Sequence, residues 1–372
     1  MFNFIFGLQI NFRSQCLIFV LIVISIIYGA QLFVIWTNQT ILDMEITPLL
    51  YCLPLIIIFP FMILYLVAIK ISEYFYSIVY IIFGTYLGYL LYTFLIAIPI
   101  RIILVFCKPP FYVSLILLYG LPLIICIYGI INALITKFVK INLKYPGFNG
   151  RYTILHLSDI HLGAIHQKGS VNRIVNEIRN LDERPDIVVI TGDLADGSLK
   201  VKADWLSPFD SLEMPVLFIT GNHEQLNNKK DMIKEVTKTN IKYIGDLQNF
   251  VHKGVNFIGI DFEYDIKEYL QDIKTEENMP NVILYHVPEV GPEELKEHNI
   301  FLLLAGHTHG GQIFPLNVAA YFTNKCFKGL YSDQGKNHHV YVSEGVNNAV
   351  VPMRVCSRRI FALIRIEGEI EN

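Results

Sequence analysis

Charge is nearly missing from the first 145 residues of this 372-residue chain, which hold seven Lys or Arg and three Asp or Glu. Histidine is missing altogether from the first 150, and all 11 histidines follow. The net charge of −3 therefore hides a front part of +4 and a back part of −7. Cysteine is sparse as well. Cys16, Cys52, Cys107 and Cys126 lie in or beside apolar stretches, and Cys326 and Cys356 have no zinc-site spacing. A disulfide framework and a thiolate zinc motif are both excluded, and nothing points to an oxidising compartment. The six read as small apolar fillers. A hydrophobic fraction of 53% and a mean hydropathy of +0.44 are high for a soluble protein. The chain is a composite of an apolar half and a polar, histidine-bearing half.

Four uncharged apolar stretches fill the front: residues 14–42, 46–69, 74–100 and 109–136. Each exceeds the ~20 residues a helix needs to cross a hydrocarbon core. The spacing predicts an all-α membrane bundle of about four helices over residues 1–140, and a second domain over 150–372. A cleaved signal is the rival for the first stretch, with Gly29 and Ala30 as a small pair, but 28 preceding residues are long for one. With four spans, the N-terminus and the back half share a side. Arg13, Lys70, Lys137, Lys140, Lys144 and Arg151 fall there, against Lys108 and Arg101 opposite, where Asp43 and Glu45 also lie. This bias predicts a cytoplasmic back half. Asn38-Gln39-Thr40 is then a sequon on the outer side. Residues 137–150 read as a short tail spanning at most ~50 Å, with lysines near anionic headgroups.

From residue 151 the pattern turns to short β-branched runs: 152–157, 187–191, 216–220, 256–260, 282–285, 301–304, 340–342 and 360–366. Helical patterns lie between them. Val171, Ile174, Val175, Ile178 and Leu181 follow one helix face; 230–239 is a second candidate, with weaker ones at 266–275 and 292–298. Strand–helix alternation predicts an α/β domain. Polar motifs follow the strands: Asp159-Ile160-His161, Gly192-Asp193, Gly221-Asn222-His223-Glu224, His286 and Gly306-His307-Thr308-His309. Loops leaving strand C-termini form the ligand crevice of α/β sheets, so these five can converge.

The donors Asp159, His161, Asp193, Asn222, His286, His307 and His309 mix carboxylate, amide and imidazole without thiolate. That set suits Mn²⁺, Fe²⁺ or Zn²⁺. Seven are too many for one catalytic ion and suffice for two divalent ions sharing a carboxylate. Such a pair lowers the pKa of a water held between the ions and neutralises a phosphoryl transition state. His223, next to Asn222 yet not needed as a ligand, is the candidate general acid.

This ordered series closely resembles the calcineurin-like metallophosphoesterases over about residues 150–367. The strings Gly192-Asp193-Leu194-Ala195-Asp196-Gly197 and Gly306-His307-Thr308-His309-Gly310-Gly311-Gln312 resemble the branch with N-terminal membrane segments. The resemblance implies two mixed β-sheets flanked by helices. It assigns one metal to Asp159, His161, Asp193 and His309, and the other to Asp193, Asn222, His286 and His307. His223 would contact the phosphate or leaving group. Gln225-Leu226, and Asn347–Pro352 before Met353-Arg354, depart from the branch's pattern; both bear on specificity rather than chemistry.

The resulting expectation is a membrane-anchored phosphoesterase acting on phosphodiesters or phosphomonoesters, with lipid-linked esters among the candidates and no nucleic-acid signal. The alternative is a membrane scaffold or receptor with a non-catalytic domain of this kind. A transporter has little support, because Glu73 and Arg101 read as span-end residues. His156 reads as a structural strand residue, His166 and Asp196 as candidates for supporting the ligands, and His338-His339 as solvated. Arg354 is read as a phosphate contact or a surface salt bridge.

Overall fold

A computed structural model describes residues 12–45, 47–226 and 228–368. Residues 1–11, Ile46 and 369–372, at the edges of the expected domains and second span, lie outside it. Its front unit runs to residue 127, and its described residues are mostly long apolar helices. These are α1 (Phe12–Leu42), α2 (Pro48–Ile71) and α3 (Glu73–Phe106). Then comes α4 (Phe111–Leu134), which includes a π-helical turn at Ile116–Gly120 and whose last turns belong to the second unit. All four are long and apolar enough to cross a membrane. Small sets of buried side chains join them, Ile27, Ile58 and Leu90 in one and Val34, Ala97, Ile100 and Leu118 in another. Large apolar side chains such as Ile26, Leu66 and Ile102 point outward. That inversion suits a lipid surround rather than water. Arg101 stacks over Trp36 and donates to Thr40 Oγ1, which satisfies its charge locally.

The second unit, residues 128–372, holds two six-stranded mixed sheets. The first has the order β1-β12-β2-β3-β4-β5. These are β1 (Thr136–Tyr145), β2 (Arg151–Leu157), β3 (Ile187–Thr191), β4 (Val216–Ile219), β5 (Ile241–Tyr243) and β12 (Arg359–Gly368). The second has the order β10-β11-β9-β8-β7-β6. Its strands are β6 (Asn249–His252), β7 (Val255–Gly259), β8 (Asn281–Leu284), β9 (Leu302–Ala305), β10 (Gly329–Ser332) and β11 (His339–Val342). The sheets share a core of alternate side chains: Ile154, Val189, Leu217 and Ile364 from one, Phe257, Val282, Leu304 and Tyr341 from the other. Full burial of each aliphatic contributes about 1.5–3 kcal/mol. Helix α5 (Lys168–Arg179) buries Val171, Ile174, Val175 and Ile178, as its periodicity predicts. Helix α6 (Lys229–Val236) is shorter than its pattern, and α7 (Leu316–Thr323) was not foreseen.

The eight expected strands are present within one or two residues at their ends. Residues 137–150 are the main correction. Ten residues from Thr136 to Tyr145 form β1, paired in parallel with β12 from Thr136↔Arg359 to Tyr145↔Gly368. The sheet thus starts before residue 150, and no free tail separates α4 from it. The signal was the alternation of Val139, Ile141, Leu143 and Tyr145, masked by lysines that also suit a membrane flank. The described cysteines are all free, and Cys126 and Cys326 are buried as expected, while Cys52, Cys107 and Cys356 are exposed.

Candidate metal centre

The strands β2, β3, β4, β8 and β9 end at one pole, and each is followed by one polar motif. Backbone hydrogen bonds stitch these loops together: Asp159 N to Gly192 O, His161 N to Asp193 O, and Gly306 N to His286 O. Five residues there, Asp159, His161, Asp193, His307 and His309, have φ between +48° and +69°. Non-glycine residues seldom adopt this left-handed conformation, and surrounding structure must impose it. Here it turns successive side chains toward one point.

Two groups result. Asp159, His161 and His309 form one, with His309 Nε2 3.3 Å from Asp159 Oδ1 and 3.0 Å from His161 Nε2. Asp193, His286 and His307 form the other, with His286 Nε2 3.2 Å from Asp193 Oδ2. Asn222 Oδ1 lies 3.0 Å from His307 Nδ1. Asp193 lies between the groups, since its Oδ2 is also 3.8 Å from His161 Nε2. The seven candidate ligands named from the sequence therefore come together in one place, four of them buried and Asn222, His307 and His309 half-buried.

The chemistry of these donors fits cations. His286 Nδ1 faces the carbonyl of Thr191 at 2.8 Å, so that nitrogen carries hydrogen and Nε2 turns a lone pair toward the Asp193 carboxylate. In the neutral imidazole that lone pair would repel the carboxylate, so a proton or a cation must lie between them. Burial pushes His286 down, but Asp193 beside it reverses this and holds it at about 10. Burial also raises Asp193, and His286 overrides it, keeping that carboxylate well below its usual range. Each supplies the other's missing charge, which is what a cation would do for both. Burial drives His161 to about 3 and His307 to about 4, and His309 well below its ordinary value. These are neutral imidazoles, the ligating form.

His223 forms a further group with His161 and Asp193 but is placed differently from the seven. Its Nδ1 donates to the Asp196 carbonyl at 2.9 Å, its Nε2 is 3.9 Å from Asp193 Oδ2, and its side chain is 24% exposed. It is thus oriented from behind and open in front. Asp196 supports it through its backbone; its carboxylate binds Ser198. His166 has no side-chain bond to any of the seven among the described residues, and His156 is buried on β2 against Thr191 Oγ1, a structural role as expected.

Two readings need correction. Arg354 is neither a phosphate contact nor a surface ion: it is fully buried and donates to the carbonyls of Glu344 (2.7 Å), Asn347 (2.6 Å), Arg358 (2.8 Å) and His309 (3.4 Å). His339 is buried against Ser332 Oγ rather than solvated, and His338 Nδ1 donates to Ile300 O. Glu224 was quoted only as part of a motif. Fully buried, it accepts backbone N–H groups of Asp193 (3.1 Å), Ala195 (2.8 Å) and Gly221 (2.6 Å), clamping two ligand loops. Another acidic cluster, Asp246, Asp261 and Glu263, already holds the Lys229 ammonium, 2.7 Å from Asp261 Oδ2 and 3.6 Å from Asp246 Oδ1.

The glycines leave room for this packing. A Cβ on Gly306 would fall 1.8 Å from Ser158 Oγ and 2.4 Å from Asp159 Oδ2. Gly306→Ala is therefore expected to displace Asp159 and weaken metal binding about 10–100-fold. Chelator competition measures this, and unchanged affinity would contradict the packing argument.

A family description, calcineurin-like phosphoesterase, matches residues 152–311. An uncharacterised metallophosphoesterase of Helicobacter pylori strain J99 is 30% identical over 225 residues, 57% of this chain and 59% of that protein. A transmembrane protein with metallophosphoesterase domain from Bos taurus is 31% identical over 262 residues, 63% of this chain and 58% of that one. The chain spans about three-fifths of the length of these curated relatives. Among solved structures, a purple acid phosphatase from yellow lupin seeds matches 44% of this chain and 39% of its own, at 16% identity and a TM-score of 0.30. Behind its long apolar helices, the chain carries a calcineurin-like phosphoesterase domain.

Proposed function

We propose that this chain is a membrane-held phosphoesterase that uses two divalent cations, Mn²⁺, Fe²⁺ or Zn²⁺, to hydrolyse phosphate esters. The observation that carries the reading is the convergence of seven donors from five loops on Asp193, with His223 beside them. Asp159, His161, Asp193 and His309 would hold one cation, and Asp193, Asn222, His286 and His307 the other. When bound, such a pair supplies a nucleophile at neutral pH and neutralises charge on the transferring phosphoryl group. The chain's own residues do the rest. Thr191 O fixes the His286 tautomer, Glu224 holds the Asp193 and Asn222 loops in register, and Asp196 O aims His223 outward. His223 would give its Nε2 proton to the departing alkoxide. A non-catalytic scaffold gives no reason for so complete a donor set.

The test uses full-length protein in lipid with Mn²⁺. Metal-dependent turnover of chromogenic phosphodiesters or monoesters is expected. His223→Ala should keep its metal and lose about 10²–10⁴ in turnover for alkyl esters. The loss should shrink for p-nitrophenyl esters, whose leaving group needs no proton. Equal losses for both would remove His223 from the acid role. The exposed Lys137, Lys140 and Lys144, just past α4, support a cytoplasmic face for the domain. Protease protection in sealed vesicles decides that orientation.

A further inference from the structure

The chain enters its phosphoesterase domain at the metal pole. β12 runs antiparallel to β2 with Ala362 beside His156, and β1 starts with Thr136 beside Arg359. Arg359 and Thr136 therefore lie at the level where β2 gives way to Asp159. Leu134, which ends α4, is two residues earlier. The last turns of α4 are fastened there. Arg354 N donates to Gly129 O at 2.9 Å, and Asn132 Nδ2 donates to the carbonyls of Arg354 (2.9 Å) and Ser357 (3.0 Å). The Arg354 guanidinium reaches the His309 carbonyl on its other side. One arginine thus joins the end of an apolar helix to a candidate metal ligand.

Beside this junction lies α7. Val355 N donates to Gln312 O at 2.9 Å, and α7 begins four residues after Gln312. No charged residue occurs from Ile313 to Asn324. The helix is inside out: Asn317 packs toward Gly311, while Leu316, Val318, Tyr321 and Phe322 are 52%, 47%, 60% and 79% exposed. Phe314 and Val350 are exposed too, the latter beside Ala349 and Val351, whose carbonyls accept from Gln312 Nε2. On the last turns of α4, Tyr128, Ile131 and Leu134 are likewise apolar and exposed. So many exposed apolar side chains mark an interaction site.

We infer that α7 lies in the bilayer interface beside the exit of α4, and that the metal site takes phosphate esters borne on lipid headgroups. The occupant is the bilayer because Val355, which bonds Gln312 just before α7 and packs at Gly129, ties α7 to the end of a helix long and apolar enough to cross it, and Lys137 is exposed where headgroup phosphates would lie. An interfacial helix buries its apolar face about 5–10 Å into the headgroup boundary. A site opening at the same pole meets phosphates held at that depth. The substrate half of the inference rests on the phosphoesterase reading; the placement of α7 does not.

The experiment uses full-length protein in phosphatidylcholine vesicles. Phe322→Trp is compared with Val251→Trp, an exposed position on β6 near the opposite ends of the strands, over the background of Trp36 and Trp205. Spin-labelled phosphatidylcholine should quench Phe322→Trp and leave Val251→Trp unaffected, and iodide should quench Phe322→Trp at least about twofold less. Equal iodide access overturns the placement. So does a shielded Phe322→Trp that lipid label cannot quench, the result expected if a second copy covers the helix. The double variant Val318→Asp/Phe322→Asp should cut turnover of a phospholipid ester in vesicles at least about tenfold and leave a soluble chromogenic ester unchanged. Loss of neither, or equal loss of both, overturns the substrate class. Wild type inert toward both esters overturns the phosphoesterase reading itself, while the fluorescence still decides the position of α7.

Discussion

Asp193→Asn is expected to strip the chain of tightly held metal and to lower turnover by about 10³-fold or more. The geometry sets this size. Asp193 is 2% exposed, and its Oδ2 lies within 3.9 Å of His161, His223 and His286, while its Oδ1 accepts the His223 N–H at 3.0 Å. Among the described residues, Asp193 is the carboxylate shared by two of the donor groups at this pole. An amide keeps the shape and removes the one negative charge between them, so two neighbouring cations would face each other with less neutralisation. A thousandfold loss is about 4 kcal/mol, ordinary for removing one such electrostatic contact in a buried site. Elemental analysis of the purified variant, beside its turnover, checks both halves. A variant that kept wild-type metal content would show that Asp193 does not bridge.

Arg354→Met should destabilise the domain by about 3–5 kcal/mol, the usual size for removing one partner of a buried charged network. The carbonyls of Glu344, Asn347 and Arg358 would lose their donor, and each costs about 1–3 kcal/mol where it is left buried and unpaired. Burial pulls the Arg354 pKa down only to about 10, so the residue stays charged at neutral pH and donates throughout. Lysine cannot replace the planar fork, so Arg354→Lys should recover only part of the loss. Denaturant unfolding of the three proteins in the same detergent is the measurement. A change within about 0.5 kcal/mol would place Arg354 among ordinary surface substitutions. Because Asn347 N also donates to Asp159 O, the Met variant should lose metal affinity together with stability.

What could be read in advance follows from which physics is local. Strand identity is local: Ile187–Thr191 and Leu302–Ala305 are β-branched or aliphatic runs ending in a polar turn, and they fold as read. The ligand list was legible because metal sites demand particular atoms, and Asp159, His161 and His309 carry them openly. Arg354 was misread because its enclosure depends on Glu344, Asn347 and Arg358 closing round it, a property of the assembled loops rather than of Met353-Arg354. Glu224 went unassigned for a similar reason: its three N–H donors belong to two different loops. β1 was missed because two explanations competed for the same lysines, and the membrane flank was the simpler one. Helix α7 lacks the polar outer face by which surface helices are recognised.

The pairing of β1 with β12 has a further consequence, for the order in which the molecule is made. Thr136 and Arg359 are 223 positions apart, yet they are neighbours in the sheet and joined through the Thr136 hydroxyl. As synthesis proceeds, β1 emerges directly after α4 and waits, with its backbone unpaired, until β12 has been translated. Closing so long a loop costs entropy that only the completed sheet offsets. A ribosome that stops short of residue 359 leaves a chain with β1 unpaired, an open strand edge and a ready substrate for quality-control proteolysis.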